Sequence, residues 1–86
     1  MATQIKTTGE ITEVVPANGS TWSLKELQDF VGGYIEIVRL PASFGQVMVV
    51  NEEGLLYGLA ENPIASLEAK RRIVGDVIVC DGKEID

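Results

Sequence analysis

The sequence predicts one small α+β domain, a mostly antiparallel sheet of four to five strands with two helices packed on one face. The chain has 86 residues, 45% of them hydrophobic, which allows a single domain with its own core. Short β-branched runs alternate with two amphipathic segments that begin at helix-capping residues. We place the core at about residues 9–80 and expect residues 1–8 and 81–86 to be loosely held ends.

The strongest local signal is the capping box of the first helix. Residues 10–15 predict a strand, and the turn-forming run 16–20 separates it from Ser23-Leu24-Lys25-Glu26, in which Ser23 and Glu26 cap each other's backbone. Trp22 and Leu27 occupy the two positions of a hydrophobic staple. The pattern predicts a helix over 23–31 that ends at Gly32-Gly33. Its buried face is expected to contain Leu24, Leu27, Phe30 and Val31.

Three strands are predicted after this helix. Residues 34–40 contain Ile35, Ile37 and Val38 and end at Pro41, and residues 46–50 are apolar enough for a central strand. Asn51-Glu52-Glu53-Gly54 has the composition of a turn, so we expect residues 55–59 to return as a hairpin partner.

A second helix and a last strand complete the prediction. Asn62-Pro63 has the form of an N-cap followed by proline at N1, which predicts a helix over about 63–70 that buries Ile64 and Leu67. Residues 73–80 form the last strand, and Val77-Ile78-Val79-Cys80 is apolar on both faces, so this strand should be central.

The composition argues against most enzyme chemistry. There is no histidine, the usual general base near neutral pH, and the single cysteine, Cys80, can form neither an intrachain disulfide nor a zinc site. Phosphate-binding glycine loops and nucleophile elbows are missing from the sequence. We therefore expect no catalytic residue, no metal and no cofactor, and we interpret Cys80 as a core residue in a reducing compartment.

Three carboxylates keep a minor alternative open. Asp76 and Asp81 flank the last strand, and Glu52 lies in the turn after residue 50, so an acid–base pair would form if two of them converged. Turn and strand-end positions are the more usual explanation for such residues.

Two candidate binding features remain. Lys70-Arg71-Arg72 is the single positive cluster and could hold a phosphate or an acidic partner, with Asn62 nearby in sequence, although positive charge also suits the end of a helix. Phe44 lies in the loop 41–45, where an exposed anchor for a partner and an ordinary core lid are equally compatible with the sequence.

Charge and length restrict the partners. With 13 acidic and 7 basic residues the net charge is −6, so direct nucleic-acid binding is not expected. The longest apolar run, residues 47–50, is far shorter than the roughly 20 residues that span a bilayer, so no membrane segment is expected. Apolar strands in so short a chain leave surface that two helices hardly cover, which supports the hypothesis of a homo-oligomer.

Three blocks of the sequence form a recognisable pattern: residues 27–38 (LQDFVGGYIEIV), residues 49–54 (VVNEEG) together with 59–62, and residues 73–80 (IVGDVIVC). In type and order these blocks resemble a family of small domains of unknown function found in phages, plasmids and other bacterial mobile elements. The family brings no assigned catalytic or binding residue. The resemblance implies a cytoplasmic protein of the host bacterial cell in a mobile-element setting.

Two functional hypotheses follow. The first is a non-enzymatic accessory protein of phage or mobile-element type that acts by binding a host macromolecule, such as a host protein. The second is a protein that sequesters a small ligand or nucleotide through Lys70, Arg71, Arg72 and Asn62.

Overall fold

The computed structural model describes residues 2–41 and 44–85, and within them it confirms the predicted α+β class. Met1, Asp86 and two residues of the predicted 41–45 loop, Ala42 and Ser43, lie outside the described residues. The elements, in chain order, are β1 (Ala2–Ile5), β2 (Ile11–Val14), α1 (Leu24–Val31), β3 (Ile35–Arg39), β4 (Gln46–Asn51), α2 (Pro63–Ala69), β5 (Val77–Asp81) and a 3-10 helix (Gly82–Glu84).

The five strands form one antiparallel sheet in the order β2-β1-β5-β4-β3. The last strand, β5, lies at its centre, as its apolar sequence predicts. Val79 stands opposite Thr3 of β1 on one side and opposite Met48 of β4 on the other. The strands β2 and β3 are therefore the two edges of the sheet.

The two helices lie on opposite faces of this sheet, so the prediction that both pack on one face is wrong. Met48 and Val50 of β4 belong to the core cluster that contains Ala65 and Ala69 of α2. Val49, between them, belongs to the cluster that contains Leu27 and Val31 of α1. The physical reason is that β4 and β5 are apolar on both faces, and each apolar face needs its own cover.

The predicted hairpin strand at residues 55–59 is also wrong. Because β4 is already hydrogen-bonded to β3 on one side and to β5 on the other, it has no free edge for a third strand. The segment instead forms a loop in which the Leu59 amide donates to the Gly54 carbonyl at 3.0 Å. A Cβ on Gly54 would lie 2.7 Å from Cγ2 of Val74, which shows how closely this loop packs against the chain before β5.

The capping box of α1 is confirmed. The Glu26 amide donates to Oγ of Ser23 at 3.2 Å, and the Ser23 amide donates to Oε1 of Glu26 at 2.9 Å. Gly32 ends the helix with φ 83°, a left-handed conformation that glycine adopts readily. The Trp22 and Phe30 rings meet edge to face at 5.4 Å. Leu24, however, is exposed, contrary to the prediction, because Leu27 and Val31 form the buried stripe.

The capping of α2 is confirmed, but its predicted buried face is only partly right. Ala65 and Ala69, one turn apart, are the residues that pack on the sheet, and small side chains let the helix approach closely. Ile64 is half-buried and packs against this core, so its predicted burial is partly confirmed. Leu67 points away from the alanines and is 79% exposed, so its predicted burial is wrong.

Asn62 joins α2 to two other parts of the fold. Its side chain is completely buried, and Oδ1 accepts from the Ala65 amide at 3.1 Å as the N-cap of α2. Nδ2 donates to the carbonyls of Ile5 at 3.0 Å and Gly75 at 2.9 Å. One amide therefore satisfies three backbone groups that would otherwise be buried without partners.

Both ends of the chain are held more firmly than the sequence suggests. The strand β1 lies between β2 and β5, with Ala2 and Ile5 buried. Its two middle residues, Thr3 and Gln4, are polar, which is why its sequence does not predict a strand inside the sheet. Near the other end, the Trp22 amide donates to the Glu84 carbonyl at 2.7 Å, and Ile85 forms a bridge with Trp22.

We expect Asn62→Ala to lower the free energy of unfolding by about 3 kcal/mol, because it removes a helix cap and leaves two buried carbonyls unpaired. Chemical denaturation measures the change. The control is Asn18→Ala, which removes an exposed asparagine that accepts from the Ser20 and Thr21 amides, and it should cost less than about 1 kcal/mol. Equal losses for the two variants would contradict this role for Asn62.

The capping box also makes stability depend on pH. The backbone amides of Ser23 and Ala17, which donate to its carboxylate, hold the pKa of Glu26 below its usual value. Since the folded pKa is the lower one, this stabilisation is present above the unfolded pKa and is lost as pH falls through the folded pKa. In Glu26→Gln, the deficit relative to the native sequence should therefore shrink as unfolding is measured from neutral to acidic pH. A deficit that stays constant would contradict the assignment.

Candidate interaction surface

The side chains predicted to bind a small ligand do not face one surface. The backbone of Asn62 lies beside the cluster, since its amide donates to the Ile73 carbonyl at 2.9 Å. Its side chain, however, is buried and hydrogen-bonded inside the fold, whereas Lys70, Arg71 and Arg72 are exposed. Lys70 is the C-cap, with φ 54°, and Nε of Arg72 lies 3.8 Å from Oε1 of Glu61. The cluster thus consists of three exposed cations, one of which, Arg72, is paired with Glu61.

The structure places Phe44 on the surface. Its side chain is completely exposed, so of the two interpretations left open by the sequence the structure agrees with the exposed one. Phe44 shares an open groove of about 860 Å³ with Ile37 and Val47, beside the edge strand β3.

The three carboxylates weighed as an acid–base pair have separate surroundings. Oδ1 of Asp76 accepts from the Thr7 amide at 3.0 Å, and Oδ1 of Asp81 accepts from the Lys83 amide at 2.9 Å as the cap of the 3-10 helix. Glu52 lines a different cavity, with Leu24 and Tyr34 among its neighbours. Asp76 and Asp81 therefore have structural hydrogen bonds, which accounts for both residues without chemistry.

Cys80 is a buried core residue, as predicted. Burial, followed by the charges of Glu84 and Asp81, raises the pKa of its thiol to about 11. The thiol is therefore protonated at neutral pH and is a poor nucleophile. In the described part of the chain, no group of three or more acidic or cysteine side chains is placed to hold a metal ion.

The most distinctive surface feature is a run of three exposed apolar residues in the loop after β4. Leu55, Leu56 and Tyr57 are 69%, 78% and 62% exposed. Tyr34, itself 66% exposed, lines the same cavity as Tyr57 at the end of α1. We call these four residues the apolar loop patch. Contiguous exposed apolar side chains of this kind mark interaction sites more often than isolated ones do.

The patch has a rigid base and an acidic rim. The Tyr57 amide donates to the Glu53 carbonyl at 3.0 Å, and the Tyr57 hydroxyl donates to Oε1 of Glu53 at 3.2 Å. The negative charge of Glu53, together with this hydrogen bond, raises the pKa of Tyr57 above its ordinary value. Asp29 and Glu53 both line the cavity between Tyr34 and Tyr57, so carboxylates border the apolar side chains.

The local sequence pattern does not show this patch, because it predicts a strand at Leu55–Leu59. Counting strand partners would have found it, since Gln46–Asn51 is apolar on both faces and already needs a neighbour on each side. Gly54 and Gly58 at the two ends of the run are a second signal for a loop.

Comparison with known proteins matches the chain to a family model. The family model "Domain of unknown function (DUF3846)" matches residues 4–86, nearly the whole chain. No curated protein and no solved structure matches the chain. Neither α-helix in the described residues is long and apolar enough to cross a lipid bilayer. Because the family model covers well over half of the sequence, the chain belongs to the DUF3846 family of domains of unknown function.

Proposed function

We propose that this protein is a non-enzymatic accessory protein that binds a partner protein through the apolar loop patch. The observation that carries the proposal is the exposure of three consecutive apolar residues, Leu55 to Tyr57, on a loop with a defined fold. Contact between these apolar side chains and water is unfavourable in the free protein. A partner that covers them therefore binds with the favourable free energy of their burial.

The fixed conformation of the loop supports this function. Backbone hydrogen bonds close it, Gly54 packs on Val74, and the Gly75 amide donates to the Ala60 carbonyl at 2.8 Å just beyond it. A surface held in one conformation before binding loses less conformational entropy when the partner arrives. The loop is therefore suited to recognition by shape.

The acidic rim indicates the chemistry of the partner. Glu53 borders the patch together with Asp29, which is paired with Lys25 at 3.3 Å, and the whole chain carries a net charge of −6. A matching surface has an apolar centre and basic residues around it, because such a rim attracts this protein and accelerates encounter. We propose a host protein with such a surface, in the cytoplasm of a bacterium that carries a phage or other mobile element.

The alternatives have less support. A small-ligand or nucleotide site would need four side chains, those of Lys70, Arg71, Arg72 and Asn62, to face one bound molecule. The Asn62 side chain is instead hydrogen-bonded to three backbone groups inside the fold. An enzyme built on Asp76, Asp81 or Glu52 would need two of these carboxylates in one cavity.

Photo-crosslinking tests the proposal in the native host. A photoreactive residue placed at Leu56 should crosslink to one protein, whereas the same residue at the equally exposed Leu67 on α2 should not. The crosslinked protein is then purified and its affinity for this chain is measured by calorimetry at two salt concentrations. Equal crosslinking from both positions, or a partner without basic residues at the contact, would contradict the proposal. A bound mass of a few hundred daltons in native mass spectrometry would support the small-ligand alternative instead.

With that partner in hand, we expect Leu55→Ser combined with Leu56→Ser to weaken binding about tenfold to hundredfold, since central apolar contacts dominate interface energies. The free energy of unfolding should change little, because both side chains are already exposed. Leu67→Ser is the matched control and should leave the affinity unchanged. Loss of binding in the control as well would show that the effect is not specific to the patch.

A further inference from the structure

The edge strand β3 presents backbone groups that nothing in the described chain pairs. The Glu52 amide donates to the Tyr34 carbonyl, so Tyr34 and every second residue after it direct their N–H and C=O groups towards β4. Ile35, Ile37 and Arg39 therefore direct theirs outward, away from the sheet. Proteins usually blunt such an edge with charged side chains, proline or a bulge; Ile35–Arg39 carries Glu36 and Arg39 but has no proline and no bulge within it.

Apolar side chains accompany this open edge. Ile37 is 43% exposed on the face that α1 covers only in part, and Phe44 is completely exposed in the groove beside it. On the other side of Ile37, two residues away along β3, Ile35 lines a cavity of about 460 Å³ with Leu24 and Tyr34. Unpaired backbone and exposed apolar side chains thus share one edge of the sheet.

We propose that β3 pairs with β3 of a second copy of this chain, antiparallel and around a two-fold axis at Ile37, so that the two sheets continue as one. This interface is separate from Leu55 and Leu56 and does not rest on the function proposed above. A two-fold arrangement uses both open β3 edges at once and closes at two copies.

The backbone pattern selects this register. Centred on Ile37, the pairing sets Ile37 opposite Ile37 and Ile35 opposite Arg39 of the other copy, so all the outward N–H and C=O groups find partners. Moving the centre to Glu36 places two glutamates directly opposite each other, which is unfavourable. Moving it to Val38 sets Ile35 opposite Pro41, which has no N–H to donate.

Charge complementarity supports the same register. Arg39 of one copy lies opposite Ile35 of the other, and Ile35 shares its cavity with Glu52. Within the described residues neither Arg39 nor Glu52 forms an ion pair in its own chain. The two-fold axis therefore brings an unpaired cation to an unpaired carboxylate twice. The opposite edge, β2, carries Glu13 and no basic residue, so two copies of that edge would bring carboxylates together without a cation.

Mass measurement by light scattering over a wide concentration range tests the proposal. The native chain should rise from 9.3 kDa to twice that mass and stop there. In Ile37→Pro, the dimer dissociation constant should rise about thirtyfold or more, because two interchain hydrogen bonds are lost. The substitution removes an amide that the single copy does not use, so circular dichroism should show the native fold. The matched control is Ile11→Pro, since the Lys6 amide donates to the Glu10 carbonyl and Ile11 therefore faces outward on β2. It should leave dimerisation unchanged.

Two further variants keep the test decisive if Ile37→Pro unfolds. Arg39→Glu should weaken the dimer, and adding Glu52→Arg should restore it. Ile37→Cys should give a disulfide-linked dimer on mild oxidation, because opposite residues about 5.5 Å apart lie within the range of a disulfide and Cys80 is buried. A native chain that stays at 9.3 kDa up to millimolar concentration would overturn the proposal. So would a ladder of larger masses, a dimer lost only in Ile11→Pro, or no crosslink from Ile37→Cys.

Discussion

The structure depends on one constraint, that its two inner strands β4 and β5 are apolar on both faces. Each face of the sheet must be covered, and a chain of 86 residues provides only two short helices in its described part. One helix therefore goes to each face, α1 against Val49 and Ile78, α2 against Met48 and Val77. Neither helix is long enough to cover its face completely. Apolar side chains therefore stay exposed at β3 and in the loop after β4.

The Asn62 side chain makes three buried hydrogen bonds to the backbone. The carbonyls of Ile5 and Gly75 would be buried without partners, and the Asn62 amide pairs both of them while it caps α2. Ser66 makes a similar junction one turn later, since its hydroxyl donates to the Asn62 carbonyl at 2.8 Å and accepts from the Ile73 amide at 2.9 Å. Together they fix α2 to the chain that leads into β5, which is why a helix of only seven residues holds its place.

Local features could be predicted from the sequence, and long-range pairing could not. Ser23 and Asn62 cap their helices as predicted, because a cap involves residues three positions apart. The same Asn62 bonds to the Ile5 carbonyl 57 residues away, and no local pattern shows that contact. Strand partners are equally non-local, so the local pattern predicts a loose end at Ala2–Ile5 and a strand at Leu55–Leu59, where the structure has β1 and a loop. For the site, the sequence left Phe44 open between an exposed anchor and a core lid, and it did not show the apolar loop patch, because exposure depends on which edges of β4 are already occupied.

The strand order has a consequence for how the chain is made. The first strand, β1, pairs with β5, so Thr3 can pair only after Val79 has been synthesised. The strand β5 also joins the β2-β1 pair to the β4-β3 pair of the sheet. During synthesis β1 and β2 can form only an isolated hairpin, which is marginal in water. The sheet closes after β5 has left the ribosome, and until then Val47 to Val50 of β4 have one edge uncovered. The sheet is therefore completed by a pairing between distant parts of the sequence, the kind of contact that slows folding.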